Sequence, residues 1–114
     1  MTLSEFVAQI TSKPDVVEFP DVIAMIDAHY KFQPVEFKNG DLLNNAGTNN
    51  GSCKIFAFGK LCSLDETTTL NCFGDYYRID VLQHPTGSDH QNIRNFMITG
   101  WAGIEFKGQA LTPK

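Results

Sequence analysis

Between residues 52 and 61 the chain reads Ser-Cys-Lys-Ile-Phe-Ala-Phe-Gly-Lys-Leu, its most apolar run, entered directly from the polar loop Asn49-Asn50-Gly51. A segment of this character belongs in a core, so the other elements must be laid around it. As a helix with Ser52 at the N-cap, it places Ile55, Phe58 and Cys62 on one face. As a strand, it sends Phe56 and Phe58 one way and Ile55 and Ala57 the other. Gly59 suits neither. A buried helix is the preferred reading, and its polar entry puts side chains capable of chemistry at the edge of the core.

The flanking segments supply the covering elements. Leu3, Phe6, Val7 and Ile10 form one apolar stripe, Thr2 and Glu5 have capping-box spacing, and Lys13-Pro14 ends this first helix. A second helix opens at Pro20-Asp21 and buries Val22, Ile23, Ile26 and Tyr30. The period then changes to two: Val35 and Phe37 alternate with Glu36 and Lys38 before an Asn39-Gly40 turn, and Ile104–Lys107 repeats the pattern. These two segments are expected to pair as a small sheet. From Asn39 to Gly51 a long loop is expected, with a turn of helix at Leu42-Leu43. Ser63 and Glu66 cap a helix carrying Leu70, Phe73, Tyr77 and Val81 as far as His84-Pro85. A last helix starts at Ser88 and buries Ile93, Phe96, Met97 and Trp101. The expectation is a single domain over residues 1–114, mainly helical α+β, with about five helices and a sheet from strands near 35–38 and 104–107.

Composition excludes several classes. With 114 residues, 42% hydrophobic and 19% charged, the chain is ordinary for a globular domain, able to bury roughly 65% of its unfolded surface. Nine phenylalanines point to an aromatic core. A net charge of -4, with Arg78 and Arg94 the only arginines, argues against a nucleic-acid partner, which requires a basic face. Nothing approaches the run of about 20 apolar residues that crosses a membrane. Cys53, Cys62 and Cys72 are odd in number and form no CxxC pair, the pattern of a reduced, cytoplasmic chain.

Two stretches carry candidate chemistry. If Ser52 caps a helix, Cys53 is its first residue and Lys54 its second, and both the helix dipole and the ammonium favour a thiolate nucleophile. Free N–H groups at Gly51, Ser52 and Cys53 would hold an anion or oxyanion. The plainer alternative makes Cys53 a small buried hydrophobe and Ser52 only a cap. The second stretch, Ser88-Asp89-His90-Gln91-Asn92-Ile93-Arg94, offers His90 as a base and Arg94 as a clamp for carboxylate or phosphate. Its plainer alternative is helix capping by Ser88 and Asp89. The three histidines and the cysteines lack ligand spacing, so no metal is expected. No cofactor motif is present either: Gly47–Lys54 lacks the order a phosphate loop needs. Tyr76, Tyr77 and Trp101 are pocket candidates that more often serve as core.

The chain as a whole resembles the HopJ type III effector family. The resemblance rests on Asp41-Leu42-Leu43, the run Asn49 to Phe58, Cys72-Phe73-Gly74-Asp75-Tyr76-Tyr77-Arg78, the run Asp89 to Met97, and Gly100-Trp101. It implies an α+β fold and a family named for proteins that plant-pathogenic bacteria inject into host cells. It assigns no catalytic residue. Injected effectors usually begin with a disordered export signal, whereas a capped helix is expected here from residue 2 or 3, which favours a cytoplasmic role. The resulting expectation is a monomeric binding or interaction module for a small molecule or protein. Its polar site would be Asn49, Asn50, Ser52 and Lys54 with Asp89 and Arg94. The alternatives are an enzyme using Cys53 with His90, and an effector delivered into host cells.

Overall fold

The apolar run is helical. In the computed structural model, which describes all 114 residues, it forms α3 (Asn50–Leu61), with Ile55, Phe56 and Phe58 fully buried. Phe56 is the hub of the aromatic core: its ring lies 4.9 Å from Phe96, 5.4 Å from Phe73, 6.1 Å from Phe37 and 6.5 Å from Trp101. Burying one such side chain contributes about 1.5–3 kcal/mol, so α3 is where much of the folding energy is concentrated. Gly59 lets the helix approach its neighbours, since a Cβ there would meet Thr69 Oγ1 at 2.9 Å and the Trp101 ring at 3.0 Å.

Around α3 lie α1 (Leu3–Ser12), α2 (Phe19–His29), α4 (Glu66–Asn71) and α5 (Gln91–Thr99). The helix α1 has the expected capping box, Thr2 with Glu5, and buries Phe6 and Ile10. In α2, Val22 and Ile26 face the core, while Tyr30 opens a short strand instead of closing the helix. That strand, β1 (Tyr30–Phe32), pairs with the C-terminal β5 (Leu111–Pro113), and neither had a sequence signal long enough to read.

The second sheet has the order β3-β2-β4 and is antiparallel throughout. Its strands are β2 (Phe37–Asn39), β3 (Leu42–Asn44) and β4 (Ile104–Phe106), so the two alternating segments do pair, with Phe37 opposite Phe106. Leu42 and Leu43 are strand, not a turn of helix. The Asn39-Gly40 turn, with Gly40 at φ +61, folds them straight back onto β2.

Three helix boundaries differ from expectation for backbone reasons. The cap of α3 is Asn49, in the left-handed region (φ 52, ψ 46), not Ser52. The long helix expected over 63–84 is broken: Gly74 sits at φ +60, which an α-helix cannot propagate, and the chain restarts as a π-helical segment, Tyr76–Val81. Its first part, α4, is capped by Asp65, which accepts from Thr68 N–H at 2.7 Å, while Glu66 instead accepts from the backbone N–H of Trp101. Finally α5 is entered through His90 at φ 50, ψ 50, not through Ser88, and Met97 lies on its exposed side.

Candidate functional site

Asn49 and His90 share an uncommon property. With Ser63 they are the only non-glycine residues at positive φ, and both stand immediately before a helix. A left-handed backbone costs such residues of order 1 kcal/mol, though Asn and His tolerate it better than most. Both helices begin on the same pocket, of about 430 Å³, so the two polar stretches are brought together in space. Asn49, Gly51 and Ser52 form one side, and His90, Gln91, Asn92 and Ile93 the other, with Phe19, Phe73, Tyr76 and Leu42 as walls. No side chain caps either helix start.

Beneath the pocket is a buried asparagine network. Asn92 Nδ2 donates to Asn44 Oδ1 at 2.9 Å, and Asn44 Nδ2 returns a bond to Asn92 Oδ1 at 3.0 Å. Asn39 Nδ2 donates to the backbone oxygen of Asn92 at 2.7 Å and to its Oδ1 at 3.0 Å. Asn49 Nδ2 donates to Asn44 Oδ1 at 2.7 Å, so the α3 cap is tied into the same set. Asn39 Oδ1 is the one buried side-chain acceptor left without a partner. Reciprocal carboxamide bonds of this kind fix one arrangement in a low-dielectric setting, and here they fix the two helix starts relative to each other.

His90 is held by the π-helical segment. Its Nε2 lies 3.0 Å from Asp80 Oδ2, and its ring packs at 5.1 Å on Tyr76, which meets Phe19 edge-on at 5.2 Å. Asp80 and Tyr76 are one π-turn apart, so the break at Gly74 is what presents both to His90. Tyr76 is therefore a pocket residue and not core, as its exposure shows. Asp80 carried no sequence signal at all.

The other expected site residues lie elsewhere. Arg94 is not in the pocket. Its guanidinium donates to the backbone oxygens of Asp89 (2.6 Å) and His84 (2.9 Å) and to Asp89 Oδ1 (2.7 Å), which pins the loop between the π-segment and α5. That bond from Arg94 holds the Asp89 carboxyl below its usual range. Lys54 pairs with Asp27 at 2.8 Å and lies over the Phe32 ring. Asn50 is exposed beside the pocket but does not line it.

Cys53 is the fourth helical residue, not the first, and its N–H already bonds Asn49 O at 3.0 Å, so only Asn50, Gly51 and Ser52 keep first-turn N–H groups free of the helix ladder. The thiol is 1% exposed, and burial pushes it above its ordinary pKa, opposed by a hydrogen bond from the Val35 backbone. Cys53 does not line the pocket with His90. No three His, Cys, Asp or Glu side chains are gathered closely enough to hold a metal ion, and no helix is long and apolar enough to cross a membrane.

Fold and pocket together define a small, mainly helical α+β domain. The chain belongs to the family described as HopJ type III effector protein, whose model matches residues 3–111. It is similar to a solved crystal structure, that of the unknown function protein VPA0580, with 54% sequence identity and a TM-score of 0.98 over 100% of this chain and 95% of that one. Among curated proteins no sequence matches.

Proposed function

We propose that the protein is a binding module whose pocket takes a small organic anion. The observation that supports this is the convergence of two helix N-termini, neither capped by a side chain, on one cavity of about 430 Å³. Helix starts favour negative charge through their free N–H groups and their dipoles. No carboxylate lines the cavity to repel an anion. The volume falls in the range of small-molecule sites. Phe19, Phe73 and Ile93 offer apolar surface to the rest of the ligand. Delivery into a host cell, the role in the family's description, is compatible with this reading and rests on that description alone. The test is amide NMR with a panel of small carboxylates and phosphates. The expected result is saturable shifts at Gly51, Ser52, Asn92 and Ile93, and a panel leaving these amides unmoved at millimolar concentration would sink the proposal.

A further inference from the structure

A second cavity, of about 340 Å³, adjoins the first and has the opposite chemistry: it is lined by Glu18, Phe19, Pro20, Phe73, Asp75 and Tyr76. It shares Phe19, Phe73 and Tyr76 with the anion pocket, but its charged residues are two carboxylates and no cation. Gly74 brings its two sides together. A Cβ on that left-handed residue (φ +60) would lie 2.8 Å from Phe19 N and 3.4 Å from Glu18 Cα, so the 73–76 segment closes on the start of α2. Glu18 and Asp75 both stand at N-cap positions, before α2 and before the π-helical segment, yet neither side chain caps. Asp75 approaches only Arg78, at 4.0 Å, whose guanidinium is given over to the backbone oxygens of Pro14, Val17 and Asn71. Both carboxylates are therefore free to serve the cavity. Its rings form a corner: Phe19 and Tyr76 meet at 5.2 Å with their planes 68° apart, and the buried Phe73 stacks on Phe19 at 6.4 Å. Tyr76 remains 45% exposed, so its contacts with Phe19 and His90 leave ring surface open.

We infer that this second cavity binds a small organic cation of the quaternary ammonium class, its methyl groups in the Phe19–Tyr76 corner and its charge between Glu18 and Asp75. Aromatic rings attract a cation through the negative potential of their faces, and rings set at a steep angle do so from more than one side. The carboxylates add charge attraction without having to accept a hydrogen bond. A primary ammonium is strongly hydrated, and a lining that is mostly ring and proline does not replace that water. A methylated ammonium donates no hydrogen bond and has nothing to replace. The start of α2 does not favour an anion here, because Pro20 has no N–H and the Asp21 N–H is bonded to Glu18 O at 3.2 Å. The cation site goes beyond the anion reading and does not rest on it, since no group at the starts of α3 or α5 takes part.

Choline tests the inference against two relatives: 3,3-dimethyl-1-butanol, its neutral carbon isostere, and ethanolamine, the same chain with a primary ammonium. In an amide NMR titration of the full chain, choline should shift Phe19, Asp75 and Tyr76 saturably, with a Kd below about 10 mM. The isostere and ethanolamine should each bind about five-fold more weakly or worse. Glu18→Gln combined with Asp75→Asn keeps both shapes at exposed positions and removes both charges. It should weaken choline by about five-fold and leave the isostere unchanged, a split that a merely structural role for the two residues would not produce. An isostere that binds as tightly as choline would overturn the inference by showing an apolar hollow indifferent to charge. Ethanolamine binding as tightly as choline would overturn it by showing carboxylates that act without the rings. Choline shifts that fail to saturate by about 50 mM, or that fall on Gly51 and Ser52 instead, would also overturn it.

Discussion

Asn44 and Asn92 exchange two carboxamide hydrogen bonds across the core, at 3.0 and 2.9 Å, and through them β3 is locked to the first turn of α5. Because Asn49 also donates to Asn44, the same pair holds the start of α3. A pocket made of two helix starts is only as well defined as their relative position, and these three asparagines fix it. The pocket is thus a product of the core and not of a surface loop.

Asn92→Ala should accordingly be costly. It leaves Asn44 Nδ2 without a partner in a buried site and removes one of the two acceptors of Asn39 Nδ2. One orphaned donor plus the lost bonds amounts to about 2–4 kcal/mol. Urea denaturation measures it directly, and a loss under about 0.5 kcal/mol would mean that the network contributes nothing beyond an ordinary surface contact.

The thiols make stability pH-dependent on the alkaline side. Burial pushes Cys72 up to about 12 from 9.0, and burial also raises Cys53 and Cys62. A thiol raised in the fold keeps its proton where the unfolded chain has lost it, so its contribution is complete below pH 9 and declines as pH rises toward 12. Cys72 alone should cost about 1.4 kcal/mol per pH unit in that window. Cys72→Ala should flatten the alkaline limb of a stability-against-pH curve, whatever it does to stability at neutral pH.

Alkylation at neutral pH should find the same order. Cys62, partly exposed, reacts first, and Cys53 and Cys72 react only on unfolding. Native-state modification of Cys53 at the rate of free cysteine would revive the nucleophile that its burial argues against.

Arg94 should matter to the loop it pins. Its bonds to His84 and Asp89 close residues 84–90, and Gly87 packs so tightly that a Cβ there would lie 2.6 Å from Arg94 Nη2. Arg94→Gln is expected to open Pro85–Ser88 to limited proteolysis while cleavage elsewhere is unchanged. Protection equal to wild type would show that the loop holds itself.

What the sequence made legible follows from how local each signal is. The capping box at Thr2, the Asn39-Gly40 turn and the paired alternating segments are decided within a few residues, and each is where expected. The break at Gly74 is hidden because Leu70, Phe73, Tyr77 and Val81 keep helical spacing across it, while the left-handed backbone (φ +60) and the Phe19 backbone nitrogen, 2.8 Å from a would-be Cβ, both exclude a side chain there. The asparagines of 39–50 looked like loop because Asn is a turn residue. The second role of Asn39 and Asn44, as buried partners of Asn92, depends on contacts about 50 residues away, which no local pattern records. The polar, helix-opening character of the 49–54 and 88–94 stretches suggests that they share one site. Proximity in the chain does not say which side chains face the pocket: Lys54, Arg94 and Cys53 are sequence neighbours of Ser52 and His90 but do not line it.

Gly51 separates scaffold from site most cleanly. It is the second residue of α3 and lines the pocket, and a Cβ there would approach Phe19 Cζ to 3.0 Å. Its φ is not in the left-handed region, so alanine suits the backbone, and alanine is favoured over glycine inside a helix by about 1 kcal/mol. The steric cost falls on one edge of a half-buried ring that borders open space and can swing by a few tenths of an ångström. The two effects oppose each other, and the stability of Gly51→Ala should stay within about 1 kcal/mol of wild type. Ligand binding has no such compensation, because the new methyl group narrows the gap between the helix start and the aromatic wall. Affinity for a carboxylate probe should fall by about ten-fold or more at unchanged stability. A Gly51→Ala chain that binds as tightly as wild type would place the anion somewhere other than between these two helices.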